Sequence, residues 1–165
     1  MNKVVLGDIT SLKVDAIVNA ANNSLLGGGG VDGRIHSVAG PNLLKECRTL
    51  HGCRTGEAKI TKGYNLPAKY VIHTVGPVYD EHTDKESAEL LTKCYVNCLN
   101  LAKKYGIHSI AFPSISTGIY GYDPVKAVPI TKKAVDKWLK ENSSYQIDVI
   151  FCCYKQDTYN LYMKQ

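Results

Sequence analysis

The segment from Asn19 to Gly40, NAANNSLLGGGGVDGRIHSVAG, constrains this chain more than any other. It places asparagines, four consecutive glycines, an aspartate and a histidine between an apolar strand-like run and an apolar helix-like run. Four glycines in a row weaken either a helix or a strand, because glycine loses more backbone freedom on folding than any other residue. The natural compensation is a backbone that comes within contact distance of something bulky and polar, such as a phosphate or a sugar, where a Cβ would collide. Gly27 to Gly30 therefore read as a ligand loop.

The surroundings of that loop follow from hydrophobic patterning. Short apolar runs recur at Val4-Val5-Leu6, Ala16-Ile17-Val18, Tyr70-Val71-Ile72, Ile110-Ala111-Phe112 and Val149-Ile150-Phe151. Continuous rather than alternating runs are what strands look like when helices cover both faces of a sheet. Between them lie stripes of helical period, at Val31, Ile35 and Val38, at Leu90, Leu91, Cys94, Tyr95, Cys98, Leu101 and Ala102, and at Ala127, Ile130, Ala134 and Trp138. Asp123-Pro124 offers a helix cap followed by proline at the first helical position, while Pro129 offers a second start for the same helix. Asp157 to Gln165 reads as a short closing helix. With 165 residues and no linker, residues 1–165 form a single domain of class α/β: three layers, α/β/α, around a mixed, mostly parallel central sheet. In such sheets ligands bind at loops that follow the carboxyl ends of strands, where both glycine-rich segments of this chain lie.

Composition removes several function classes. The opening MNKVVLGDIT lacks a secretory signal, and no apolar run approaches the length of a membrane span, so a soluble, cytoplasmic, monomeric protein is expected. Of six cysteines, Cys152 and Cys153 are adjacent and Cys94 and Cys98 share a helix face, which suits reduced, buried thiols rather than a disulfide framework. The formal charge of +5 is scattered, with no basic strip and no interleaved aromatics, so nucleic acid is disfavoured as a partner. Cys47, His51 and Cys53 have metal-like spacing but no fourth ligand nearby, and His73 and His108 read as structural.

The second glycine-rich segment, Pro113 to Tyr122, has the grammar strand, loop, helix. Ser116, Thr117 and Gly118 can turn successive backbone N–H groups toward an anion; the plainer reading is an ordinary connecting loop, since neither common phosphate-loop pattern is present. Two such loops together favour a diphosphate. Asp8, after the first strand, could accept the exocyclic amino group of adenine, or could simply cap a turn. Tyr154, after the last strand, could stack on a base. Asp32 opens a helix on which His36 lies one turn further along, so the two could share a ligand; separately they read as a cap and a half-buried helix histidine. With Asn22 beside them, these groups suit hydrolysis at a ribose, where water must be positioned and hydroxyls oriented.

On these residues the chain resembles the macrodomain family, and within it the MacroD-type branch. The resemblance rests on Gly7-Asp8-Ile9-Thr10, Asn19-Ala20-Ala21-Asn22, Gly27 through Gly33 with Ile35-His36, His73-Thr74-Val75-Gly76-Pro77, and Ser116 through Gly121. It implies binding of ADP-ribose, with Asp8 and Ile9 at adenine, Tyr154 near the adenine face, and the two loops (Gly28, Gly29, Gly30, Val31 and Ser116, Thr117, Gly118, Ile119, Tyr120) around the diphosphate. It further implies hydrolysis of an ester at the distal ribose, either mono-ADP-ribosyl glutamate or aspartate on proteins or O-acetyl-ADP-ribose. Asn22, Asp32 and His36 are the residues tied to turnover, Asp32 directing a water that the substrate phosphate assists. No metal and no cofactor are implied. The contrasting reading is a module that binds ADP-ribose without turnover. Two departures stand out: Arg34, a cation beside Asp32, and Lys155-Gln156-Asp157 after Tyr154, where similar enzymes often carry acidic residues and an asparagine.

Overall fold

A computed structural model describes residues 2–164, so Met1 and Gln165 lie outside the described residues. The elements run β1 (Asn2–Leu6), β2 (Ala16–Ala20), α1 (Gly30–Ala39), α2 (Pro41–Arg48), β3 (Ala58–Lys62), β4 (Tyr70–Thr74), α3 (Asp84–Lys104), β5 (Ser109–Phe112), α4 (Pro124–Glu141), β6 (Asp148–Cys153) and α5 (Gln156–Met163). Short 3-10 turns occupy Ile9–Ser11 and Tyr79–Glu81. The six strands form one sheet in the order β1-β6-β5-β2-β4-β3. Every pairing is parallel except β3 against β4.

Alternation along each strand feeds two cores, one per face. Ala16 and Val18 of β2 join Phe112, Tyr95 and Trp138 beneath α3, α4 and α5, whereas Ile17 joins Ile35, Leu43 and Val71 beneath α1 and α2. This is the expected three-layer α/β/α arrangement with a mixed, mostly parallel sheet. The expected strands are all present. β3 is additional: Ala-Lys-Ile-Thr-Lys lies at a sheet edge, where lysines and a threonine interrupt any continuous apolar run.

Helix boundaries follow local chemistry. Asp123 caps α4 by accepting from the Val125 amide, which settles the start at Pro124; Pro129 lies inside the helix and forgoes a single backbone bond. Thr83 and Glu86 form a reciprocal capping box at α3, Glu86 N–H donating to Thr83 Oγ1 at 3.1 Å and Thr83 N–H to Glu86 Oε1 at 2.8 Å. Thr83→Ala is expected to lower unfolding free energy by about 1 kcal/mol, read from urea denaturation. No described helix is long and apolar enough to cross a membrane.

The parallel strands β1, β6, β5 and β2 all release their chain at the same sheet end. The loops there, after Leu6, Cys153, Phe112 and Ala20, are the ones that build the site.

Candidate functional site

These loops enclose a cavity of about 800 Å³. Its walls include Asp8, Ile9, Asn22, Gly28, Gly29, Gly30, Val31, Asp32, Ser116, Thr117, Gly118, Ile119, Tyr120 and Tyr154. Every site residue expected from the sequence is therefore gathered at one place except His36.

The first glycine loop is shaped by close approach. A Cβ on Gly28 would meet Asp32 Oδ2 at 3.2 Å and Asn22 Nδ2 at 3.3 Å, so both side chains press on the bare Cα. Asn22 is braced on both sides, Nδ2 donating to the Gly27 carbonyl at 2.9 Å and Oδ1 accepting from Ser24 Oγ at 2.7 Å. Gly29, not Asp32, is the N-cap of α1 and supplies no side-chain acceptor. The positive end of α1 thus opens on the cavity with its first N–H groups uncapped by a side chain, an arrangement that favours an anion.

Asp32 lies in the first turn of α1 and is only 4% exposed. Its Oδ1 accepts from Asn19 Nδ2 at 2.9 Å, and His36 Nε2 lies 3.5 Å from the same oxygen. Burial pushes the Asp32 carboxyl above its ordinary value, against the opposing pull of the Asn19 hydrogen bond and of His36. His36 does not line the main cavity. It borders a separate depression behind the glycine loop, with Leu26, Pro41 and Leu44, and its Nε2 finds no hydrogen-bond partner among the described residues. A histidine one turn beyond Asp32 reaches the back of the carboxylate, so its action on a ligand in the cavity would pass through Asp32.

The second loop is strained where it turns. Ser116 holds φ +66°, a left-handed value that costs a non-glycine residue about 1–3 kcal/mol, and its buried Oγ has no partner among the described residues. The loop closes through Tyr122 N–H to Ser116 O at 2.9 Å and Gly121 N–H to Gly118 O at 3.0 Å. It is tied from outside by Tyr79 N–H donating to Tyr120 O at 2.8 Å, with the Tyr79 hydroxyl anchored on Asp84 and accepting from Lys126 at 3.0 Å. Gly76 packs directly beneath it: a Cβ there would fall 2.1 Å from Ser116 Oγ. Ile119, 93% exposed, stands at the rim.

At the opposite end, Asp8 both caps the Ile9–Ser11 turn and faces the cavity. Its Oδ1 accepts from Thr10 Oγ1 at 2.6 Å and Thr10 N–H at 2.9 Å, while Oδ2 takes Arg34 Nη2 at 3.0 Å and Nε at 3.2 Å. The Thr10 hydroxyl, more than Arg34, holds its carboxyl below the usual range against the effect of burial. Arg34 therefore pairs across to Asp8 rather than with its helix neighbour Asp32. Ile9 is buried, and Tyr154 is 86% exposed at the rim.

Some members of the site carried no separate signal. Asn19 stood in a recognised motif, yet only the structure shows it gripping Asp32; an asparagine inside the buried strand Ala-Ile-Val-Asn-Ala was the available clue. Cys152 lines the cavity near Asp8 and reads in sequence as one more apolar strand residue. All six cysteines are free and buried, and among the described residues no three His, Cys, Asp or Glu side chains gather in a way that could hold a metal ion.

Comparison with known proteins places this geometry. Residues 18–131 match the model of the Macro domain family. A Homo sapiens protein named ADP-ribose glycohydrolase MACROD2 is 55% identical over 96% of this chain, which spans only 37% of that relative's length. A Trypanosoma brucei macrodomain solved in complex with ADP-ribose is 48% identical, superposes with a TM-score of 0.93, and is matched over 99% of this chain and 68% of its own. A mutant of the Oceanobacillus iheyensis macrodomain solved with ADPR is 43% identical at the same TM-score, over 98% of this chain and 89% of its own. With its three layers, its paired glycine loops and its sequence agreeing, the chain belongs to the Macro domain family.

Proposed function

We propose that this protein binds ADP-ribose and hydrolyses an ester at its distal ribose. Asp8, Ile9 and Tyr154 receive the adenine, the loops at Gly28–Val31 and Ser116–Tyr120 take the diphosphate, and the distal ribose faces Asn22 and Asp32. The observation that carries this reading is the buried carboxylate of Asp32, set beside Asn22 across the bare Cα of Gly28 on the cavity wall. A passive binding site for a diphosphate gains nothing from a buried anion. A hydrolytic site does, because a carboxylate can orient water and take up a proton as the bond to it forms.

In the reaction, water held between Asp32 and a substrate phosphate adds to the ester. The ester C–O bond breaks, the proton passes to the departing oxygen, and a free carboxylic acid and a ribose hydroxyl result. Asn22 holds a ribose hydroxyl, so the reacting bond presents itself to the water in one orientation. The substrates are proteins mono-ADP-ribosylated on glutamate or aspartate, or O-acetyl-ADP-ribose, and no metal enters the steps. The Trypanosoma relative solved with ADP-ribose and the MACROD2 relative named an ADP-ribose glycohydrolase support the ligand and, in general, hydrolysis.

The test is turnover of a protein mono-ADP-ribosylated on glutamate, with O-acetyl-ADP-ribose in parallel and ADP-ribose binding measured by calorimetry on the same sample. Release of either acid is expected. Tight binding of ADP-ribose without release from either substrate would make the protein a reader instead.

A further inference from the structure

Beneath the cavity floor lies a polar chain that the reaction as described does not use. Asn19 and His73 are register partners on the adjacent parallel strands β2 and β4, and both are completely buried. Polar side chains in the centre of such a sheet are costly unless hydrogen-bonded. Asn19 Nδ2 lies 2.9 Å from Asp32 Oδ1 and 3.2 Å from His73 Nδ1. His73 Nε2 lies 2.9 Å from Thr61 Oγ1, whose own hydroxyl donates to the Lys62 carbonyl at 3.1 Å.

Donor and acceptor chemistry fixes every proton in this chain. The Asn19 amide nitrogen can only donate, so His73 Nδ1 must accept and carry no proton. The ring proton then sits on Nε2 and is donated to Thr61 Oγ1, whose hydrogen is already directed at Lys62. Both Asn19 amide hydrogens are thereby used, one on His73 and one on Asp32. The opposite amide orientation would set a carbonyl oxygen 2.9 Å from the Asp32 carboxylate oxygen, acceptor against acceptor. Asn19 Oδ1 has no partner among the described residues, so it is the two nitrogen contacts that set the amide's orientation.

We infer that His73, acting through Asn19, is a positioning residue that pins Asp32 Oδ1 so that Oδ2 is left to face Gly28, Asn22 and the cavity. The inference deepens the function proposed above and rests on it. Groups around the ring come from four elements: His36 on α1 with ring centroids 6.5 Å apart, Cys47 on α2 with Sγ 3.8 Å from Nε2, Thr61 on β3 and Asn19 on β2. The Asp32 charge is felt by His36 and, more remotely, by the Tyr120 phenol and the Cys47 thiol, both raised first by burial and then by Asp32. Burial, and secondarily His36, holds the His73 imidazole down to about 3, which keeps the accepting Nδ1 available throughout the neutral range.

The experiment compares His73→Leu, which removes the acceptor, with His73→Asn, whose oxygen can occupy the place of Nδ1. Turnover is expected to fall about 10–100-fold in His73→Leu, the size known for partners that orient metal ligands, carried here to a buried carboxylate. KM and ADP-ribose affinity should stay within about threefold, and His73→Asn should recover most of the loss. Equal damage in both variants, or damage to binding and turnover alike, would reduce His73 to a packing residue and overturn the inference. If His73→Leu does not fold, Thr61→Val, which leaves the Nε2 proton without its acceptor and so loosens the ring that Asn19 leans on, replaces it in the comparison. A second readout is independent of any reaction: the Asp32 carboxyl, titrated by carbon NMR, should move further up in His73→Leu as its Asn19 hydrogen bond loosens. A wild type without turnover would sink the hydrolase reading, whereas an unmoved Asp32 titration would sink the positioning role.

Discussion

Asp32→Ala is expected to lower turnover of the ADP-ribosyl ester by about 10²–10⁴-fold, the range that a positioned proton acceptor contributes. Affinity for ADP-ribose should change by less than about tenfold, or about 1.4 kcal/mol. On the proposed reading the two effects separate because the Asp32 side chain serves the reacting water, while the diphosphate and adenine depend on the glycine-loop backbone and on Asp8, Ile9 and Tyr154. A fall in kcat with near-constant binding is the signature of an interaction made mainly in the transition state. Steady-state kinetics and calorimetry on the same variant decide the matter, and wild-type turnover in Asp32→Ala would remove this residue from the chemistry.

The same carboxylate also burdens the fold. Burial raises its folded-state value above the ordinary 3.8, so the folded protein binds that proton more tightly than the unfolded chain does. Its contribution to stability is thus complete below about pH 3.8 and is lost as pH rises through the raised value, leaving a cost at neutral pH. Asp32→Asn, which keeps the shape without the charge, should melt higher than wild type at pH 7, and the gap should close in acid.

Gly33→Ala should weaken ADP-ribose binding by at least about 30-fold, or about 2 kcal/mol, and lower stability by about 1–3 kcal/mol. Within an ordinary helix this exchange would stabilise by about 1 kcal/mol. Here the sign reverses, because the new Cβ would sit 2.4 Å from the Gly28 carbonyl oxygen. That oxygen belongs to backbone and cannot swing aside as a side chain could. Gly28 must move, and its bare Cα is what Asp32 and Asn22 close in on, since a Cβ there would meet them at 3.2 and 3.3 Å. Unchanged calorimetric affinity with normal melting would mean that α1 and the glycine loop are not coupled through this contact.

What could be read before folding depended on how far each signal reaches along the chain. The strands at Ile17, Ile72 and Ile110 announced themselves because helices cover both their faces, and the ligand loops because glycine and hydroxyl residues cluster within one turn. Edge strand β3 did not, since Lys59, Thr61 and Lys62 break up its apolar residues. The expectation that Asp32 opens α1 failed by a few residues because Gly29, with no side chain to signal a cap, already starts the helix. Arg34 had no readable direction, since Asp8 is brought to it from the end of another strand. The Asn19–His73 contact depends on the register of two strands far apart in sequence, and no local pattern encodes that.

The order of the strands also sets when this protein can first hold a ligand. β1, at one edge, hydrogen-bonds to β6, the last strand of the sheet, so joining them closes nearly the longest loop available to the chain. Non-local pairings of this kind form slowly. On a ribosome the segment bearing Asn19, Asp32 and His73 emerges well before Cys152 and Tyr154, so the Asp32 end of the cavity can assemble while the Asp8 end has no far wall. A nucleotide that spans both ends would find its complete site only in the finished chain. A ligand that touches both ends would bind the closed sheet more tightly than any partly assembled form and would hold the first and last strands together.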